Sequence, residues 1–245
     1  INEDFKEEDQ SLDLVFRNKQ TFAIGHGCSA DWNQEKGKEI IDEISSTHFP
    51  IYDSANVTSE IIHNNIPFEI EMAELAGLKN ASNDEIFDKL TQLSDLYSRW
   101  ISKQQEQSIL LEEKYKEAAS NNIDKCKETL NRIISGIDFL RNDDLALKAF
   151  KLANHAILSQ QVRTKRYKDD ERDWEEKIDG KILPKIEYTE PDIIENIKGI
   201  GKWRPFQLAF ILSSLESTAK EEHIDRNIVE LIFFPTGGGK TEAYL

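Results

Sequence analysis

An α+β chain is what this sequence predicts, on three observations. Short apolar runs with Gly, Asn, Asp and Pro between them crowd residues 1–75. Apolar residues then recur at steps of three and four, and the final stretch reads as buried strand, glycine-rich turn and helix start in direct succession. The expected organisation is a small β-rich N-terminal domain at 1–75, a helical layer or bundle at 76–165, a linker at 166–190, and the opening elements of a nucleotide-binding core at 191–245.

In the first domain the strand signals are Leu12–Phe16, Thr21–Ile24, Glu39–Ile44 and Pro67–Ile70. The period changes after residue 80. Ser82-Asn83-Asp84-Glu85 fits a capping box, in which the serine oxygen and the glutamate carboxylate satisfy donors that a first helical turn leaves unpaired. Ile86, Leu90, Leu93, Tyr97 and Trp100 then line one face of a long helix. A second helix follows from the stripe Cys126, Leu130, Ile133, Ile137 and Leu140; Gly136 within it costs about 1 kcal/mol against alanine, which close packing would explain. Leu145–Gln161 reads as a third, with Phe150, Ala153 and Ile157 closing the layer. Charged residues with Gly180 and Pro184 mark the linker. Pro205 suits the first turn of a helix through Leu208, Phe210, Ile211 and Leu215, and Val229–Phe234 has the look of a buried strand.

The totals bound the function classes. With 245 residues, 38% hydrophobic and 31% charged, the chain carries enough apolar material for a core and is expected to be globular and soluble. Residue 1 is Ile, and neither a leader nor a membrane-length apolar run is present, so the chain reads as part of something longer, in the cytoplasm and away from membranes. Cys28 and Cys126 are too few for a disulfide framework. A net charge of −15 excludes a surface that is basic throughout, so any DNA contact must be local. The run Arg163–Lys168 is the basic candidate, but acidic residues follow it at once, and a solvated helix face or linker explains the pattern.

The chemistry concentrates in Pro235-Thr236-Gly237-Gly238-Gly239-Lys240-Thr241. Polyphosphate needs donors all round. The glycines let successive backbone N–H groups turn inward, and a helix starting near Lys240 adds the positive end of its dipole. Lys240 would reach the β- and γ-phosphates of ATP, and Thr241 would place its hydroxyl on Mg²⁺. Phe234 stands where the strict pattern opens with glycine, and Thr236 stands before the Gly-x-Gly-Lys-Thr run. Upstream, Gln207 can donate to and accept from one edge of adenine, with Arg204 or an aromatic ring available to stack on the base.

Other stretches imitate chemistry. Ile40-Ile41-Asp42-Glu43 mimics a Mg²⁺-binding carboxylate pair but precedes the loop, so Asp42 and Glu43 are read as surface carboxylates. Gly25-His26-Gly27-Cys28 lacks further metal ligands, and a tight turn with Cys28 as a small buried hydrophobe is the expected explanation. His48, His63, His155 and His223 are isolated.

Taken together, FAIGHGCSADW at 22–32, AFKLANHA at 149–156, WRPFQLAF at 203–210 and FPTGGGKTEAYL at 234–245 resemble the helicase subunits of DISARM anti-phage systems, which are superfamily 2 helicases. The resemblance implies a RecA-like P-loop ATPase core that drives a helicase or translocase along phage DNA, with ATP and Mg²⁺ as cofactors and a partner subunit and a methyltransferase beside it. It makes Gln207 and Arg204 the adenine residues, Thr236, Gly237, Gly238, Gly239, Lys240 and Thr241 the phosphate residues, and Thr241 also the metal residue. The catalytic carboxylate pair, the arginine finger and the second RecA-like domain have no counterpart in these residues, so this stretch alone is expected not to hydrolyse ATP. Two rivals remain: a restriction-type translocase of another defence system, and a non-catalytic partner-docking module, the latter suggested by the acidic balance together with Trp32, Trp100 and Trp174.

Overall fold

Three long helices and several pairs of short antiparallel strands make up most of this computed structural model, which describes residues 3–19, 21–34, 40–47, 58–63, 65–169, 174–185, 189–232 and 239–244. The elements in order are α1 (Glu3–Val15), β1 (Ser29–Asn33), β2 (Glu43–Thr47), β3 (Ile62–His63), β4 (Ile66–Pro67), β5 (Ile70–Glu71), α2 (Met72–Leu75), α3 (Asn83–Ser108), α4 (Glu113–Asn142), α5 (Asp144–Asp169), β6 (Trp174–Glu176), β7 (Ile182–Pro184), β8 (Lys202–Trp203), α6 (Pro205–Ala219), a 3-10 turn (Ile224–Asn227) and α7 (Thr241–Tyr244). The chain divides into two compact units, Ile1–Val57 with Lys103–Lys125, and Thr58–Ser102 with Cys126–Leu245. No helix among the described residues is long and apolar enough to cross a membrane.

Residues 1–75 contain β1 to β5 together with α1 and α2, but two of the four predicted strands do not form. Residues 12–15 are not strand but the end of α1, because Glu, Lys, Gln and Leu are strong helix formers and Leu14 finds Ala118 and Ala119 of α4 to bury against. Ser11 and Asn122 exchange hydrogen bonds, and Lys125 pairs with Glu7 at 2.7 Å. Residues 21–24 form no strand, and Ile24 is 91% exposed. A strand does form near the third predicted site, displaced to Glu43–Thr47 as β2 and paired antiparallel with β1, with Trp32 opposite Ile44. Phe22 meets Trp32 edge to face at 5.8 Å.

In the second unit the helical periodicities hold. Ser82 Oγ accepts from the Glu85 N–H at 3.2 Å while the Glu85 carboxylate accepts from the Ser82 N–H at 2.7 Å, so the reciprocal cap opens α3 as its sequence requires. Ile86, Leu90 and Leu93 are buried; Trp100, at the far end of the predicted stripe, is half exposed and stacks on Tyr97. Burial, reinforced by Cys126, pushes the Tyr97 phenol well up from its ordinary value. Ile133, Ile137 and Leu140 of α4 join the same core.

On α5 the buried face is Leu147, Phe150, Asn154, Ile157, Leu158 and Val162. Ala153, predicted to close the layer, is exposed, and polar Asn154 takes the inward position beside it. The asparagine is tolerated because both ends of its amide are satisfied: Nδ2 donates to Phe150 O at 2.8 Å and Oδ1 accepts from Trp203 Nε1 at 2.6 Å. Helix α5 runs on to Asp169, into the predicted linker, which also holds the β6–β7 hairpin. Arg163 bonds Glu190 and Lys165 donates to Lys198 O at 2.6 Å, so these two residues of the basic run, which lies along a helix, are engaged within the protein.

Hydrogen bonds from Ser82, first its backbone N–H and then its hydroxyl, hold the Glu85 carboxyl below the ordinary glutamate range. A depressed carboxyl stabilises the fold above its unfolded value and loses that contribution as pH falls through the folded one. Amide protection at residues 83–86, taken relative to intrinsic exchange at each pH, should therefore fall on acidification below about pH 4.3, and Glu85→Gln should remove that dependence. Parallel behaviour of the two proteins would show that the cap does not depend on the charge.

Candidate nucleotide site

Helix α6 is aimed by what precedes it. Strand β8 pairs with β5, placing Trp203 opposite Ile70, and Met72 N donates to Gly201 O at 2.8 Å. Gly201 has φ of 77°, and a side chain there would meet Leu158 Cδ1 at 2.6 Å, while its N–H is held by Gln161 Oε1 at 3.0 Å. Trp203 is then locked into the core by Asn154, and Pro205 opens α6 at the first turn as predicted.

Gln207 lies two residues further on, in the first turn of α6, and is 4% exposed. Its Oε1 accepts from the Arg204 N–H at 2.8 Å. Its Nε2 donates to the carbonyl oxygen of Gly239 and lies 3.5 Å from Glu242 Oε2. Thirty-two residues of sequence are thus closed into one contact between the proposed adenine residue and the last glycine of the proposed phosphate loop. Gly239 has φ of 77°, and a Cβ would stand 2.9 Å from Gln207 Nε2, 3.4 Å from Glu242 Oε2 and 3.5 Å from an Arg204 Nη. The positive φ favours glycine there, and any side chain would displace the ends of Gln207, Glu242 and Arg204.

After Gly239 come Lys240, partly buried, and Thr241, exposed at the start of α7. Ala243 is buried and Tyr244 packs edge to face on Phe210 of α6 at 5.6 Å, which docks this short helix. Arg204, Gln207, Gly239, Lys240 and Thr241 therefore converge, with Glu242 added. Glu242 was legible only as a residue of the helix start; its approach to Gln207 carries no local signal. Thr236, Gly237 and Gly238 lie outside the described residues, as do Phe233 and Phe234 of the predicted strand.

The described part of that strand, 229–232, is not strand, and Val229 and Leu231 are 92% and 83% exposed. A strand needs a neighbour for its N–H and C=O groups, and none of the strands among the described residues lies beside it; all their pairings are antiparallel pairs elsewhere. A cavity of about 520 Å³ borders this stretch, lined among others by Tyr97, Ile133, Phe206, Phe210 and Leu231. Neither Gln207 nor Arg204 lines it, so the glutamine amide does not open into that space.

The remaining candidates separate from this site. Asp42 and Glu43 are exposed on and beside β2. Cys28 is exposed and not the buried hydrophobe expected, because the tight turn brings its carbonyl within 2.0 Å of where a Gly25 Cβ would be and leaves the thiol outside. Among the described residues no three His, Cys, Asp or Glu side chains are placed to hold a metal ion.

No family model matches the sequence. The chain is similar to the DISARM protein DrmA of Bacillus paralicheniformis, with 34% identity over 250 residues that take in 100% of this chain and 20% of that protein. The similarity runs along this chain from end to end, and the chain spans about a fifth of the length of the relative it matches.

Proposed function

We propose that the full-length protein is an ATP-dependent superfamily 2 DNA helicase or translocase of a DISARM-type anti-phage system, and that this chain supplies the first half of its nucleotide site. The observation that carries the reading is the hydrogen bond from Gln207 Nε2 to Gly239 O, since it joins the base-reading candidate to the phosphate loop across the fold. Gln207 keeps one lone pair on Oε1, and its second N–H lies 3.5 Å from Glu242 Oε2, so reading an adenine edge requires the amide to exchange Glu242 for the base. The positive φ of Gly239 is the kind of backbone turn from which successive N–H groups can face an anion.

Within this reading Lys240 offers charge to the phosphates and Thr241 a hydroxyl to Mg²⁺, which supplies electrostatic stabilisation when bound. Helix α6 also supports it. Leu208 and Leu212 are fully buried in the core while Phe206, Ala209 and Phe210 face the cavity, an apolar pair of faces suited to a layer between the helices and the sheet of a RecA-like core. DNA, a partner subunit and a cytoplasmic setting belong to the same proposal, which the similarity to a DISARM protein supports.

The test is binding of a fluorescent ATP analogue to the full-length protein. Saturable binding that weakens when Mg²⁺ is withheld is expected. No binding at millimolar nucleotide, with Mg²⁺ present, would sink the reading.

A further inference from the structure

Arg132 stands within α4 and faces two carboxylates from the stretch that leads into the phosphate loop. Its Nη2 donates to Glu230 Oε1, and its Nε lies 3.2 Å from Asp225 Oδ2, an ion pair not aligned as a hydrogen bond. The three side chains are only 22%, 24% and 27% exposed. Water therefore screens them less than it screens the ion pairs on the surface, and removing one partner leaves a partly buried charge uncompensated.

The same stretch is tied to α6 as well. Arg226 Nη1 donates to Ser217 O at 2.9 Å and to Thr218 O at 2.7 Å, two carbonyls near the end of α6. His223 Nδ1 accepts from the Asp225 N–H at 3.1 Å and thereby caps the 3-10 turn. At its opposite end α6 carries Gln207, which holds Gly239. The chain is thus anchored on both sides of the loop: before it by Arg132 on α4 and by Arg226 against α6, after it by Gln207.

We propose that Arg132 is a positioning residue for nucleotide binding: by holding Asp225 and Glu230 it sets the approach of the chain to the phosphate loop and couples α4 to the affinity for a nucleoside triphosphate with Mg²⁺. The proposal rests on the reading of residues 235–241 as a phosphate site. Its residues come from positions 93 and 98 apart in sequence, so no local pattern announces them.

The experiment uses the full-length protein and two readouts, affinity for the fluorescent ATP analogue with Mg²⁺ and amide exchange over residues 224–232. Arg132→Met keeps the aliphatic stem and removes the charge; it should weaken binding about tenfold and accelerate exchange. Arg132→Lys should recover part of both, because an ammonium keeps the charge without the guanidinium fork. Glu230→Gln combined with Arg132→Met should bind no more weakly than Arg132→Met alone, since the two changes remove one interaction. If wild-type protein binds and Arg132→Met binds equally well, or if the two changes add, this proposal is overturned while the phosphate site stands. If wild-type protein does not bind, the phosphate-site reading falls, and the proposal falls with it.

Discussion

Full-length protein carrying Lys240→Ala should lose ATP hydrolysis by about 10²–10³-fold, the loss seen when one well-placed charge-stabilising donor is deleted from a preorganised site. The expectation comes from the backbone on either side of the lysine. Gly239, just before it, is held through its carbonyl by Gln207, and α7 begins just after it at Thr241 and is docked by Tyr244 on Phe210. The ammonium is thereby presented from a chain pinned at both ends, so little ordering remains when phosphate arrives.

On the proposed reading the net charge of −15 on these 245 residues would make this cation matter more, because an acidic surface repels a triphosphate until a local positive group receives it. Lys240 is not deeply buried, so its truncation should leave unfolding within about 0.5 kcal/mol of wild type, which separates lost chemistry from lost fold. Lys240→Arg should not restore activity, since the planar fork does not replace a compact point charge. Phosphate release measured with duplex DNA present decides the matter; undiminished turnover in the alanine variant would remove Lys240 from the mechanism.

Gly136→Val should be the most damaging single change to the helical core. A Cβ on Gly136 would stand 2.0 Å from the carbonyl oxygen of Leu212, and the next two nearest atoms are also backbone of that residue. No rotamer change relieves a clash with backbone, so α4 and α6 must part by about 1 Å or more, disturbing close-packed Leu208, Leu212, Ile133 and Ile137. Even alanine, which gains about 1 kcal/mol of helix propensity over glycine, should lose more than it gains. Valine should cost about 3 kcal/mol or more, a large part of the stability of an ordinary domain. Denaturant unfolding of wild type, Gly136→Ala and Gly136→Val should rank them in that order. An alanine variant more stable than wild type would show that the helices are free to separate.

The readable parts of the fold share one property, which is that their signal lies within a few residues. The Ser82 and Glu85 cap closes over a single turn, Pro205 needs only its own fixed φ to begin a helix, and the stripes on α3 and α4 repeat at helical spacing. Gly136 advertised a close approach without naming the partner. Leu12–Phe16 shows the opposite case, since an apolar run of that length suits a strand or a helix, and the decision came from Ala118 and Ala119 far along the chain. Asn154 was passed over for Ala153 because polarity normally marks an outer face, whereas here Trp203 satisfies the amide from 49 residues away.

The candidate site divides in the same manner. Gln207, Gly239, Lys240 and Thr241 could be singled out as candidates because phosphate and adenine each demand particular residue types at short spacing. Their convergence could not, and neither could Glu242, Arg132, Asp225 and Glu230. By itself the sequence determined the starts of α3 and α6, the stripes of α3 and α4, and the chemical vocabulary of a nucleotide site, because backbone hydrogen bonding and amphipathic period are local. Only the tertiary structure decided that Gln207 grips Gly239 and that Arg132 reaches the chain ahead of the loop, because hydrogen bonds and partly buried ion pairs between distant residues exist only after packing has brought them together.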